Sequence, residues 1–454
     1  MTFLKPSRFR ILGLHFYAAI TIALIFLHQG IIASSAYFLT SAIEELQRGA
    51  PFYKSLMLYL SSMIIPFAPG CLSYVTMQAW ANAAHERLIE SFKKSYQGKS
   101  CIYRDEGAKD SVDSVISRNS FPATLSYISN IHGLTSFALN SALSLAVISF
   151  LLPSDIWLGY LISVIGCTAV IGLMSPGISR LSKKSQEHLA SYGYFLGKSW
   201  ANITLGNTYN QRKWEEKISS SGAKYYKIMM ELTRAKQLSN FFLGLVTLIP
   251  TAYLIYHTVK SPQFEPSLVA ATIVNLTRIF HILNSLGALV YQCIEFGSAD
   301  AAVKQVLHAI MPSRSLGDSA ENQDPRGISI NGVMAQDLPT IRTDIRSAER
   351  GRFTVRGPNG SGKTTFLLSL KSSDPHRTFY LPASIDQLMW PDGFDNLSTG
   401  ERMMKALGEI QNLDEINMLL LDEWDANLDE TNAQLADELL DTLARTKVVV
   451  EVRH

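Results

Sequence analysis

The chain has 454 residues, of which 18% are charged and 47% hydrophobic, against about 25% charged in an ordinary soluble protein. Residues 321–454 hold 22 acidic and 14 basic side chains and the first 320 hold the remaining 17 and 27, so a basic apolar part (net +10) precedes an acidic polar one (net −8). Such hydrophobicity excludes intrinsic disorder, and the asymmetry excludes one uniform soluble fold.

Lys5, Arg8 and Arg10 precede the first of six apolar stretches: Ile11–Leu39, Tyr53–Trp80, Leu125–Leu152, Ile156–Met174, Phe241–Val259 and Ser267–Ile294. A helix of about 20 residues crosses a hydrocarbon core, so six spans in a lipid bilayer are expected. The basic start places the N-terminus in the cytoplasm. Ala33, Ser34 and Ser35 weakly resemble a signal-peptidase site. The apolar region, however, exceeds the roughly 7–15 residues of a signal peptide.

The gaps alternate in length. Residues 152–155 and 261–266 are short connections, whereas 81–124 and 175–240 are long, polar and rich in Lys93, Lys94, Lys183, Lys184, Arg212 and Lys213. With the N-terminus inside, both long segments are expected as cytoplasmic helical hairpins of a transmembrane domain over residues 1–312. In the sixth stretch Asn275, Arg278, His281 and Asn284 recur every third position. A charge in hydrocarbon needs a water-filled cavity or a partner. Two readings stand: a polar stripe along a cargo path, or a buried pair and polar contacts that join helices. The four cysteines, Cys71, Cys101, Cys167 and Cys293, are scattered without a Cys-x-x-Cys pair, so reduced thiols are expected rather than a zinc site or a disulfide framework.

Residues 313–327 are rich in Ser, Gly, Asp, Asn and Pro and are expected to be a linker to a domain over 328–454. There Thr354-Val355-Arg356 leads into Gly357-Pro358-Asn359-Gly360-Ser361-Gly362-Lys363-Thr364-Thr365 and then Phe366-Leu367-Leu368. Strand, Gly-x-x-x-x-Gly-Lys-Thr and helix in that order form a P-loop pattern. Its glycines let backbone N–H groups, those of Asn359 and Ser361 among them, converge on phosphate oxygens at a helix N-terminus. Lys363 supplies charge for the β- and γ-phosphates, and the Thr364 hydroxyl is placed for Mg²⁺. Ile416 to Leu421 is a continuous apolar run, as a doubly covered parallel strand requires. It ends in Asp422, a candidate Mg²⁺ ligand, and Glu423, a candidate to polarise the attacking water.

A third motif, Leu397-Ser398-Thr399-Gly400-Glu401, precedes a helical stretch from Arg402 to Gln411. It resembles the Leu-Ser-Gly-Gly-Gln signature of ATP-binding cassette (ABC) transporters. The segment Asp422 to Asp429 is similar to that family's Walker B and D-loop, and His454 falls at the switch-histidine position after the strand Val448–Val452. The chain thus resembles an exporter-type half-transporter. The fold so implied is a membrane α-helical bundle of six transmembrane helices followed by an α/β P-loop NTPase domain.

The resemblance implies ATP and Mg²⁺ as cofactors, with Glu423 and His454 catalytic. Ser398 and Gly400 of one cassette would contact ATP on the P-loop of another, beside Asp429 of the D-loop. It also implies a homodimer, or a heterodimer with another half-transporter, in a bacterial cytoplasmic membrane, with the nucleotide domain cytoplasmic and no nucleic acid as partner. The cargo, unknown, would be a peptide, a lipid or a hydrophobic small molecule. Three departures stand beside this. Lys363 and Ser398 are only 35 positions apart, so most of the family's helical subdomain is missing; Ala383 holds the Q-loop glutamine position, with Gln387 nearby; and Ile330–Asp337 has no aromatic for adenine. They leave an alternative: a degenerate half-transporter that binds nucleotide, hydrolyses little and serves as a regulatory or structural partner. A membrane-anchored P-loop kinase or GTPase does not explain the signature.

Overall fold

A computed structural model describes residues 12–13, 15–105, 109, 112, 115–151, 155–260, 266–310, 327–334, 337–386, 388–391, 393–394, 397–426 and 428–453. Outside them lie the basic start, residues 152–154 and 261–265 of the short connections, nearly all of the expected linker, Gln387, Asn427 and His454. The chain divides into two compact units. One comprises Met1–Glu90 and Val115–Leu307, the other Ser91–Ser114 and His308–His454.

The first unit is helical. Its helices are α1 (Phe16–Gln47), α2 (Tyr53–Ile64), α3 (Phe67–Tyr96), α4 (Ser120–Leu151), α5 (Asp155–Gly197), α6 (Ser199–Thr204), α7 (Thr208–Lys260) and α8 (Pro266–Ile310). The second apolar stretch is split between α2 and α3 at Pro66, which has no N–H to continue a helix and clashes with the preceding turn. The fourth and fifth stretches run without a break into the polar segment, because α5 has 43 residues and α7 has 53. Among the described residues, three stretches are long and apolar enough to cross a membrane: Phe16–Gln47, Tyr53–Tyr96 and Leu161–Thr204.

Packing in this unit is inside out relative to a soluble protein. Helix α1 buries small and polar residues, including Ala18, Thr21, Gln29, Ala33, Ser35, Ala36 and Thr40. It exposes Phe16, Ile22, Phe26, Leu27 and Tyr37. Small residues on the buried face let helices approach closely. Some polar groups facing inward find partners there: Gln29 Nε2 donates to Ser136 Oγ at 2.9 Å, and the Ser163 hydroxyl donates to the Thr247 carbonyl at 3.1 Å. Helices α5 and α7 touch so closely that a Cβ on Gly166 would lie 2.1 Å from a Val246 methyl. All four cysteines are free thiols.

The second unit is built on a six-stranded mixed sheet. Its strands are β1 (Ser329–Ile330), β2 (Val333–Met334), β3 (Gly351–Arg356), β4 (Thr378–Leu381), β5 (Met418–Asp422) and β6 (Val448–Val452), in the order β2-β1-β3-β6-β5-β4. Strands β3, β6, β5 and β4 run parallel, and β1 pairs antiparallel with both β2 and β3. Four helices accompany it: α9 (Leu338–Ser347), α10 (Lys363–Ser373), α11 (Thr399–Gln411) and α12 (Glu430–Leu443). Because strand side chains alternate, Leu419, Leu421 and Val449 pack on α11 and α12. Leu420, Val450 and Val355 pack on α9 and α10 from the other side. Every residue of β5 and β6 is buried. Covering both faces explains why these strands are continuous apolar runs rather than alternating ones.

Candidate nucleotide site

Parallel strands deliver their C-terminal ends to one edge of the sheet, where ligands of open α/β sheets bind. At this edge β3 opens into the glycine loop, β5 ends in Asp422, β4 leads to Pro382-Ala383, and β6 ends beside Arg453. The loop conformation depends on glycine. Gly360 and Gly362 have φ of +80° and +93°, a region costly for residues with a Cβ. At Gly357 a Cβ would lie 2.8 Å from the Gly327 carbonyl oxygen and 2.9 Å from Ser361 Oγ. Asn359 is exposed at the tip.

Lys363, Thr364 and Thr365 form the first turn of α10. Lys363 is only 6% exposed, and its ammonium donates to the Gly357 carbonyl at 2.8 Å and the Pro358 carbonyl at 3.4 Å. No side chain caps this helix at Gly362, so the first N–H groups stay available to an anion. Ser361 Oγ is buried with no hydrogen-bond partner. A buried cation, an unused hydroxyl and an uncapped helix start together form a cradle for phosphate.

Asp422, 8% exposed at the end of β5, offers the matching acceptor. Its Oδ2 accepts from the Tyr380 hydroxyl at 2.8 Å, whereas Oδ1 is buried with no partner. An unpartnered buried carboxylate oxygen is costly, and a cation would satisfy it. Burial, and then the charge and hydrogen bond of Asp422, hold the Tyr380 phenol well above its ordinary range, so it stays a donor. Among the described residues no cluster of three His, Cys, Asp or Glu can hold a metal. One carboxylate and one hydroxyl suit Mg²⁺, which keeps several waters and takes oxygens from the substrate phosphates.

Glu423 sits next to Asp422 with φ +51°, in the left-handed region that non-glycine residues rarely enter. The turn after it is pinned from below. Trp424 is 1% exposed, and its indole N–H donates to Glu451 Oε2 at 3.2 Å. Glu451, 2% exposed on β6, also accepts from Arg352 Nε, Thr354 Oγ1 and Arg453 Nε, each at 3.0 Å. Burial opposes the Arg352 charge, but hydrogen bonds to Glu451, Asp437 and Asp441 outweigh it and hold the guanidinium above its ordinary range.

The other expected site residues take more local roles. Ser398 caps α11 in a capping box: its hydroxyl accepts from Glu401 N at 3.3 Å, and Glu401 Oε2 accepts from Ser398 N at 2.8 Å. Gly400 follows in the first turn of α11. Asp429 caps α12, accepting from Asn432 N at 2.7 Å. Between β4 and α11 there is no helix among the described residues. Asn275, Arg278 and His281 lie on α8, but their side chains are outside those described, and so is His454. Sequence reasoning passed over Tyr380 and Glu451 as site residues. The acid inside the apolar Val448–Val452 run was the only local signal for Glu451, and Tyr380 carried none.

No protein-family model and no curated protein matches this chain.

Proposed function

We propose that this chain is an ATP-driven membrane exporter, a half-transporter that works as a dimer by alternating access. One observation carries the reading: buried Lys363, orphaned Ser361 Oγ and the orphaned Oδ1 of Asp422 stand at the C-terminal ends of the parallel strands of one mixed sheet. In this reading the glycine loop and Lys363 hold the β- and γ-phosphates, and Thr364 and Asp422 hold Mg²⁺, which neutralises phosphate charge when bound. Glu423 orients the attacking water, with His454 at its expected switch position. Ser398, Gly400 and Asp429 face the nucleotide of a partner cassette.

The inside-out packing of α1 and the length of α5 and α7 support the membrane half of the proposal, with six spans and the nucleotide domain in the cytoplasm. A degenerate, slowly hydrolysing partner subunit is the second reading. Ala383 at the Q-loop position and the lack of a helix among the described residues between β4 and α11 favour it. The deciding measurement is ATPase activity of the purified full chain in lipid, beside Lys363→Ala and Glu423→Gln. Active export requires wild-type turnover about 10²-fold or more above both variants, the order of a lost catalytic group. Binding without turnover in the wild type selects the degenerate subunit, and no binding at all rejects both.

A further inference from the structure

We infer that Arg104 is a phosphate-contacting residue of the same site, brought to it by the long segment between α3 and α4; this rests on the nucleotide reading above. A short 3₁₀ helix, Ser100–Arg104, lies in the second compact unit together with the sheet. It runs along α10. Near the far end of that helix the Cys101 thiol meets Ser372 Oγ at 3.7 Å and the Leu368 carbonyl at 4.0 Å. At the near end Arg104 Nη1 donates to Thr365 Oγ1 at 3.2 Å. Residues 365, 368 and 372 share one face of α10, so the 3₁₀ helix is aligned with Arg104 at the loop end.

Thr365 belongs to the first turn of α10, immediately after Lys363 and Thr364. A guanidinium bonded there stands beside the free N–H groups that would receive phosphate. The Tyr103 ring lies 6.2 Å from the Tyr380 ring, whose hydroxyl holds Asp422. The Arg104 charge is also felt by that hydroxyl. Arg104 is exposed, and among the described residues no carboxylate pairs with it. The guanidinium donors beyond the Nη1 bond to Thr365 can thus take phosphate oxygens, for which Arg is better shaped than Lys. Bound nucleotide would then be held by two parts of the chain far apart in sequence. By linkage, whatever moves residues 91–114 changes nucleotide affinity, and nucleotide acts back equally.

The test uses the full-length protein in lipid with a fluorescent ADP as probe, and compares Arg104→Ala, Arg104→Lys and Lys363→Ala. Arg104→Ala is expected to raise the Kd about tenfold and to make it less dependent on salt, with Arg104→Lys between it and wild type. The melting temperature of Arg104→Ala should match wild type, since the residue is exposed. A Kd within twofold of wild type in Arg104→Ala, while Lys363→Ala abolishes binding, overturns the role of Arg104 and leaves the nucleotide reading intact. No binding by wild type overturns both.

Discussion

The Tyr380 hydroxyl donates to Oδ2 of Asp422 at 2.8 Å, leaving Oδ1 buried and unpartnered. One strand thereby orients a carboxylate carried by its parallel neighbour, since Leu381 pairs with Leu421 one step before the strand ends.

Removing that hydroxyl frees the carboxylate to rotate. Tyr380→Phe should raise the Mg²⁺ concentration for half-maximal ATPase activity about tenfold, the usual scale for a group that orients a metal ligand. The maximal rate at saturating Mg²⁺ should change much less. An unchanged Mg²⁺ dependence would mean that Asp422 does not bear on the metal.

Glu451 is the hub beneath the Asp422-Glu423 turn. Glu451→Gln removes one of the carboxylates that Arg352 and Arg453 share, while Asp437 still pairs with both; breaking part of a buried ion network costs on the order of 2 kcal/mol. The melting temperature should fall by several degrees. Hydrolysis should drop further than the loss of folded protein accounts for, because Trp424 exchanges a charged acceptor for a weaker amide oxygen next to strained Glu423. A stable variant with full activity would show the network to be dispensable.

The same network has a pH signature. Burial raises the Asp437 carboxyl, but hydrogen bonds from Arg453 and Arg352 more than offset this and hold it below its ordinary range. A carboxylate depressed in the folded state adds stability above its unfolded value, near pH 4. That stability is lost as pH falls through the folded value. Asp437→Asn should therefore lower the melting temperature at pH 7 and flatten the decline below about pH 4. Asp437 is 43% exposed, so the expected shift is only about 2 °C. Superimposable acid limbs would rule the contribution out.

Close helix approach in the first unit is testable by contrast. Gly166→Leu must displace Val246 on α7, an overpacking that costs about 1–3 kcal/mol. Gly172→Leu, six residues further along α5 with nothing within 4 Å of its Cβ, should be tolerated. Equal thermal stability of the two variants in detergent would refute the α5–α7 contact.

The sequence alone determined what is local. Glycine spacing before Lys363, the Ser398–Glu401 capping box and the apolar runs of β5 and β6 each specify their own segment, because helix caps, left-handed turns and strand burial depend on neighbours within a few residues. Apolar stretches likewise located the helices of the first unit, although Pro66 divided one of them. Tertiary structure alone decided the pairings that give the site its chemistry. Tyr380 and Asp422 are 42 residues apart, Arg352 and Glu451 are 99 apart, and Arg104 and Thr365 are 261 apart. No spacing rule reaches that far. Strand order and the return of residues 91–114 to the sheet unit bring these groups together, because a buried charge must find its partner wherever the fold places it.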